Sequence, residues 1–255
     1  MSPSHDQAAV GRLKLVVAYD GASFGGWQSQ VHGNTVQDQL ESALRRITGQ
    51  KIRVHGAGRT DAGVHALGQT AHIDLEGGRF TPARLLPAVN AVLPPQIRVM
   101  SIRAVAADFH ARFSARGKVY RYRIWNAAVL PPLELSRAWH VAQPLEEARM
   151  RKVLALFEGE HDFAAFSANR GKKEDSTVRT IRSVRFSRRG PSITLDVDGN
   201  GFLYRMVRMM VGATVRCGLG RMEPTEIAQR LKVFTSEKIR FVAPAEGLFL
   251  LRVRY

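Results

Sequence analysis

Two rhythms of apolar residues alternate along this chain. Leu13–Tyr19 (LKLVVAY) is a short, β-branched apolar run, the pattern of a buried strand. After a glycine-rich loop at Asp20–Gln30 the spacing changes to threes and fours. Val36, Leu40, Ala43, Leu44 and Ile47 then share one helical face. Asn34 or Thr35 can cap that helix, Gln37 can complete a capping-box-like start, and Gly49 ends it. Ile52–Ala57 reads as a strand and Gly58–Gly63 as a turn. His65–Leu75 is extended again, with Ala71, Ile73 and Leu75 facing away from His72 and Asp74. Thr81-Pro82 opens a second helix lined by Leu85, Leu86, Val89 and Val92, Pro94-Pro95 stops it, and Ile97–Arg103 is a strand.

The second half has the same kinds of element. Lys118–Trp125 is strand-like. Pro144–Phe157 is an amphipathic helix with Glu146 and Glu147 in its first turn, where the helix dipole favours acids. Val178–Phe186 and Ile193–Val197 form a hairpin about Arg188–Ser192. Helices follow at 205–217 and 224–234, and Leu248–Val253 is a final strand. The first half reads β-α-β-β-α-β, the order of a ferredoxin-like unit, an architecture shared by RNA-binding RRM domains. The expected class is α+β: two ferredoxin/RRM-like subdomains with mainly antiparallel sheets flanking a basic central cleft. Residues 1–10 are expected to be a disordered start, 11–113 the first subdomain and 114–255 the second. No fixed-period repeat is visible in the residues. Ser167–Ser176 is polar and reads as a mobile loop.

Composition changes this picture in one respect. Hydrophobic residues make up 45% and charged residues 24% of the 255, an ordinary globular balance. Lysine plus arginine is 38 against 22 acids, a net charge of +16, which calls for a polyanionic partner. Nucleic acid fits better than a membrane surface, because no long amphipathic helix with a basic face is found. No apolar run is long enough to span a bilayer, and residues 1–10 lack the features of a signal peptide, so a cytoplasmic protein is expected. The one cysteine, Cys217, lies in an apolar helical stretch and reads as core.

Two basic clusters stand out. His110–Arg123 carries Arg112, Arg116, Lys118, Arg121 and Arg123 without an acid, interleaved with Tyr120 and Tyr122. Cations for phosphates and rings for bases suit nucleic acid; a half-buried strand with solvated arginines fits equally. Arg205, Arg208, Gly212 and Arg216 make a helical stripe, either a solvated basic face or one that meets a phosphate or carboxylate.

The segment Gly56–His65, GAGRTDAGVH, runs from a strand end into a glycine-rich loop. Its one carboxylate, Asp61, stands two residues after Arg59. A neighbouring cation keeps a carboxylate ionised, and glycines admit a closely approaching ligand. That suits a nucleophile or base, and equally an Asx-type turn. A metal site from Asp61, His65, His55 and His72 is less favoured, since the glycines argue against a helix that would align Asp61 with His65 and no second carboxylate is near. Nucleotide-cofactor and nucleophile-elbow motifs do not occur.

The heptamer Arg59-Thr60-Asp61-Ala62-Gly63-Val64-His65 resembles the signature of the TruA family of tRNA pseudouridine synthases. The likeness continues in Tyr19-Asp20-Gly21, Phe24, Gly26-Trp27-Gln28, Thr35-Val36-Gln37, Phe113-Ser114-Ala115, Tyr120-Arg121-Tyr122 and His161-Asp162-Phe163. It extends to Gly201-Phe202-Leu203-Tyr204, Met206-Val207-Arg208, Val211-Gly212 and Ala243-Pro244-Ala245-Glu246-Gly247-Leu248, in order from about 13 to 255. Arg205, Met209 and Met210 depart from the pattern around Arg208.

The resemblance implies isomerisation of uridine to pseudouridine at positions 38, 39 or 40 of the tRNA anticodon stem-loop, without cofactor or metal. It implies Asp61 as the catalytic carboxylate, either nucleophile or base, and Arg208 as its ionic partner. Tyr120 would stack on the target base, and Arg59 would fill the space left by the flipped nucleotide. Arg112, Arg116, Lys118, Arg121 and Arg205 would contact RNA. A homodimer is implied as well. The alternatives are a non-catalytic RNA-binding module, a metal-dependent RNA hydrolase, and a synthase for another RNA or position.

Overall fold

The computed structural model describes residues 11–31, 33–77, 80–168, 176–232 and 238–255. The start expected at 1–10 and most of the loop expected at 167–176 lie outside the described residues. The chain forms two compact units: one runs to Ala115 and takes back Tyr255, and the other is Arg116–Arg254.

The first unit contains β1 (Gly11–Tyr19), α1 (Val36–Thr48), β2 (His55–Gly56), β3 (His65–Leu75), α2 (Pro82–Val92) and β4 (Ile97–Ala104). Its strands lie in the order β4-β1-β3-β2, every neighbouring pair antiparallel. This is the ferredoxin-like arrangement of two interleaved βαβ crossovers. Leu13, Leu15 and Val17 of β1 and Ala71 and Ile73 of β3 form one buried apolar face. Leu40 and Leu44 of α1 and Leu85 and Val89 of α2 supply the other half of that core. Thr35 caps α1, but Asp38 completes the capping box, not Gln37. Gln37 is buried and hydrogen-bonds Gln28, the Ser29 backbone and Glu41 instead. Gly49 ends the helix at φ 74°, a left-handed C-cap.

The strand expected over Ile52–Ala57 shrinks to His55–Gly56. The Val54 N–H is taken by the Glu41 carboxylate at 3.0 Å, so it cannot join a ladder. His72, on the opposite side of β3 from Ala71 and Ile73, is also buried: it is 2% exposed, covered by the segment before Ser114.

The second unit contains β5 (Gly117–Trp125), β6 (Trp139–His140), α3 (Glu147–Leu156), β7 (Gly159–Asp162), β8 (Val178–Arg189), β9 (Ser192–Gly199), α4 (Met206–Gly218), α5 (Pro224–Lys232) and β10 (Leu248–Arg254). Its ladder runs β10-β5-β9-β8-β7, all antiparallel, with β6 parallel to the end of β5. Taking β5, β8, β9 and β10 with α3 and α4, the order repeats that of the first unit. The two halves therefore share a topology with no visible sequence repeat. Tyr122, Ile124, Ile193, Leu195, Val197 and Leu250 fill its sheet face, and Met150, Val153, Met206 and Met210 face them from the helices. α3 starts at Glu147, with Glu146 as its N-cap, later than the expected Pro144. Cys217 is fully buried, and burial pushes its thiol up to about 11, as befits a core residue.

The arginine stripe of α4 is not a free solvated face. Gly212 lies under the Phe241–Ala243 segment; a Cβ there would stand 2.7 Å from the Phe241 carbonyl. Arg216 lies over the Phe241 ring at 5.7 Å, and Arg208 donates Nε–H to the Ala243 carbonyl at 2.8 Å. Arg205 stands outside the helix as its N-cap at φ 60°.

Candidate active site

The loop carrying Asp61 joins β2 to β3 in the first unit, and β1, β3 and the Trp27 segment hold it. Trp27 N–H donates to the Thr60 carbonyl at 3.1 Å. The Gln69 side chain donates to the Gly58 carbonyl at 2.8 Å, and Ala57 N–H to the Thr70 carbonyl at 2.7 Å. The buried Tyr19 and Thr60 hydroxyls share a hydrogen bond of 2.7 Å. Asp61 opens a tight turn closed by Val64 N–H to the Asp61 carbonyl at 3.1 Å, with Gly63 at φ 78° supplying the left-handed corner. Asp61 itself is half-buried. The backbone that carries the carboxylate is thus held by hydrogen bonds on both sides of Asp61.

Two glycines explain how the strands pack so closely here. Gly26 has φ 98°, and a Cβ on it would lie 2.7 Å from the Thr60 carbonyl. A Cβ on Gly21 would overlap the Val64 carbonyl. Gly21 N–H also donates to Nδ1 of the buried His65 at 3.1 Å. Four dispersed sequence motifs therefore meet at one loop: Tyr19-Asp20-Gly21, Gly26-Trp27-Gln28, Thr35-Val36-Gln37 and Arg59–His65. Arg59 is exposed and donates Nε–H to the Gln28 side-chain oxygen Oε1 at 3.1 Å, and Gln28 is bonded in turn to Gln37.

In the second unit, Tyr120 lies on β5, 8% exposed, edge-to-face with Phe202 at 5.1 Å. Tyr122, two residues on, is fully buried and donates its hydroxyl to the Pro244 carbonyl at 2.8 Å. Burial raises its phenol well above the usual range, with Arg208 opposing and Glu246 reinforcing the shift. Gly247 packs directly on the Tyr122 ring. Arg208 is half-buried and clasped twice by Ala243, through Nε–H to the carbonyl and from Ala243 N–H to its own carbonyl at 3.1 Å. The segment Ala243–Leu248 is thus the bracket that orients Arg208 and Tyr122.

The residues read as RNA contacts differ in their surroundings. Arg121 is held by Asp196 through two bonds of 2.7 Å, which raise its guanidinium pKa. Its charge is largely spent within the sheet. Arg112 and Arg205 are exposed, each lying over a neighbouring ring, Phe113 and Tyr204. Arg116 is exposed, with its backbone bonded to Arg254 and Arg182, and Lys118 is half-buried on β5. Asp61, Arg59 and Arg112 belong to the first unit; Tyr120, Arg208, Arg116, Lys118, Arg121 and Arg205 belong to the second.

Residue-by-residue reading missed Tyr19, Gln28, Gln69 and Thr60 as supports of the loop. Gln69 gave no distinct signal, because β3 also carries Thr70, His72 and Asp74. It also missed the grouping of His55 and His72 with His110, whose ring nitrogens lie within 4.8 Å of one another.

A family model described as "tRNA pseudouridine synthase" matches residues 15–114 and 153–255. A tRNA pseudouridine synthase A of Acetivibrio thermocellus is 40% identical over 243 residues, covering 95% of this chain and 99% of that protein. Proteins of the same description from Akkermansia muciniphila (42%, covering 96% of this chain and 95% of that protein) and Methylacidiphilum infernorum (43%, 97% and 96%) are similarly close.

Proposed function

This chain belongs to the tRNA pseudouridine synthase family, a family of isomerases acting on tRNA, and from that membership we propose that it converts uridine to pseudouridine at positions 38, 39 or 40 of the anticodon stem-loop. The carrying observation is the loop at Asp61: a single carboxylate opens a tight turn whose neighbours Gly58 and Thr60 are held by β1, β3 and the Trp27 segment.

The reaction breaks the N1–C1′ bond, forms C5–C1′, releases the C5 proton and returns a proton to N1. It consumes no second substrate. Asp61 acts on the flipped nucleotide, as a nucleophile toward ribose or base or as a base toward the sugar. Both routes need an ionised carboxylate, and Arg208 is the cation assigned to it. Tyr120 stacks on the uracil. The burial of Tyr122 and the commitment of its hydroxyl to Pro244 support Tyr120 as the ring that meets the base. Arg59, exposed at the rim of the loop, fills the gap left in the RNA. Arg112, Arg116, Lys118 and Arg205 contact the RNA backbone, with Arg121 a lesser contributor. The enzyme works in the cytoplasm as a homodimer, which light scattering of the purified protein tests.

Transfer RNA labelled with tritium at uracil C5 reads the reaction directly, because only the isomerisation expels that hydrogen. Wild type releases tritium, and Asp61→Ala releases it at least about a thousandfold more slowly. Equal release by the two proteins would remove Asp61 from the chemistry. RNA binding by the wild type without any release would favour a non-catalytic binding module.

A further inference from the structure

The helix-free face of the first unit's sheet carries a cluster that the reaction does not use. His55 on β2 and His72 on β3 are register partners and stack at 4.8 Å with an interplanar angle of 16°. His110 meets His72 edge-on at 4.6 Å. His72 is the buried middle ring, His55 is exposed and His110 half-exposed.

Backbone donors settle the tautomers of two rings. Ala111 N–H donates to His72 Nδ1 at 3.1 Å, and Arg112 and Phe113 N–H donate to His110 Nδ1 at 3.1 and 3.3 Å. With Nδ1 accepting, the proton of each neutral ring sits on Nε2, which becomes a donor. Burial and neighbouring charge favour the neutral form of His72 and His110. Burial pushes His72 down to about 4, aided by His55, His110 and Arg12 and opposed by Asp74. His110 is lowered too, by burial and then by His55, Arg12 and Arg112.

Distance separates the two ligand classes such a cluster can take. One ring nitrogen of each histidine lies within 4.8 Å of the other two. Three points at that spacing share a neighbour about 2.8 Å from each, the length of a hydrogen bond to oxygen. A zinc ion binds imidazole nitrogen at about 2.0–2.1 Å and spaces its ligands about 3.4 Å apart. Rings at the 4.8 Å limit would have to close, and zinc bound at Nε2 would make His72 and His110 give up the tautomer that their backbone donors favour. A metal-bound histidine wants an acceptor for its second nitrogen, the reverse of what is present.

The surroundings select an anionic oxygen. Asp74, the carboxylate of this face, is bound at both oxygens by Arg12 at 2.7 Å. Lys14 and the exposed Arg112 flank the cluster. Phe113, 76% exposed, lies 4.4 Å from the His110 ring with Arg112 above it, an aromatic surface on which a base can stack.

We propose that His55, His72 and His110 form an auxiliary RNA contact that holds a phosphodiester oxygen, with Phe113 stacking on an adjoining base. The inference rests on tRNA as the substrate and adds a contact at His55, His72, His110 and Phe113.

The test uses the full chain. Imidazole nitrogen–proton NMR spectra are recorded while unmodified tRNA, inorganic phosphate and zinc ions are added separately, and tRNA affinity is measured for His55→Glu and Phe113→Ala. The expected result is that tRNA shifts the three histidine signals, His55→Glu weakens tRNA binding about tenfold, and Phe113→Ala weakens it severalfold. Affinities within twofold of wild type for both variants, with pseudouridine still formed by the wild type, would overturn this inference alone. Stoichiometric zinc uptake abolished by His55→Gln would overturn it in favour of a cation site. Shifts caused by inorganic phosphate but not by tRNA would overturn the RNA assignment. Absence of both tRNA binding and product in the wild type would instead remove the reading on which it rests.

Discussion

At the scale of single residues, the Asp61 loop depends on the buried hydroxyls of Tyr19 and Thr60. The Tyr19–Thr60 hydrogen bond is buried, so deleting one hydroxyl strands the other. Tyr19→Phe is expected to cost about 1–2 kcal/mol and to lower the melting temperature by roughly 2–6 °C. Its activity loss should fall on kcat more than on KM, because the loop shifts while the RNA surface stays. Calorimetry and steady-state kinetics check both; an unchanged kcat would make the bond purely structural. Gly26→Ala places a Cβ against the Thr60 carbonyl at a left-handed φ, and about 3 kcal/mol or more of destabilisation is expected from urea melts. Asp61, Arg59 and the glycines were legible in the sequence because their spacing is local. Tyr19 and Gln69 were not, since nothing in the sequence says which hydroxyl or carbonyl lies across a strand.

Secondary-structure elements were read well where periodicity is long. β1, α1, β3, β5 and the hairpin of β8 and β9 lie close to where alternation and turn residues place them. The errors have local causes. Glu41 captures the Val54 N–H and shortens β2, and Asp38 replaces Gln37 in the capping box because Thr35, not Asn34, is the N-cap, which puts Asp38 at the third helical position. Thr35→Ala should therefore cost about 1 kcal/mol in thermal unfolding. Parity on β3 sets His72 opposite the apolar residues but says nothing of its burial; its cover comes from a segment some forty residues away.

That burial has a pH signature. The pKa of His72 is about 6.5 unfolded and about 4 folded. Between these values the unfolded chain binds the extra proton, so stability is full above about 6.5 and falls as pH drops toward 4. Urea unfolding at pH 7 and pH 4.5 should show a loss that His72→Asn reduces. A loss of the same size in the variant would assign it to other groups.

On the scale of the whole molecule, two units with one strand order carry no common sequence, because the arrangement requires only apolar residues at matching faces. Charge is the property that belongs to the chain as a whole. With a net charge of +16, tRNA affinity should fall steeply with salt, by at least about tenfold between 50 and 200 mM. A salt-independent affinity would contradict an electrostatic RNA surface.

We propose that Asp61 carries out the isomerisation of anticodon stem-loop uridines. The most direct test is to incubate wild type and Asp61→Asn with unmodified tRNA in the presence of a chelator and to map pseudouridine nucleotide by nucleotide. Pseudouridine at position 38, 39 or 40 with wild type and none with Asp61→Asn is the predicted result. Conversion by the variant at the wild-type rate, or wild-type product confined to other positions, would contradict it.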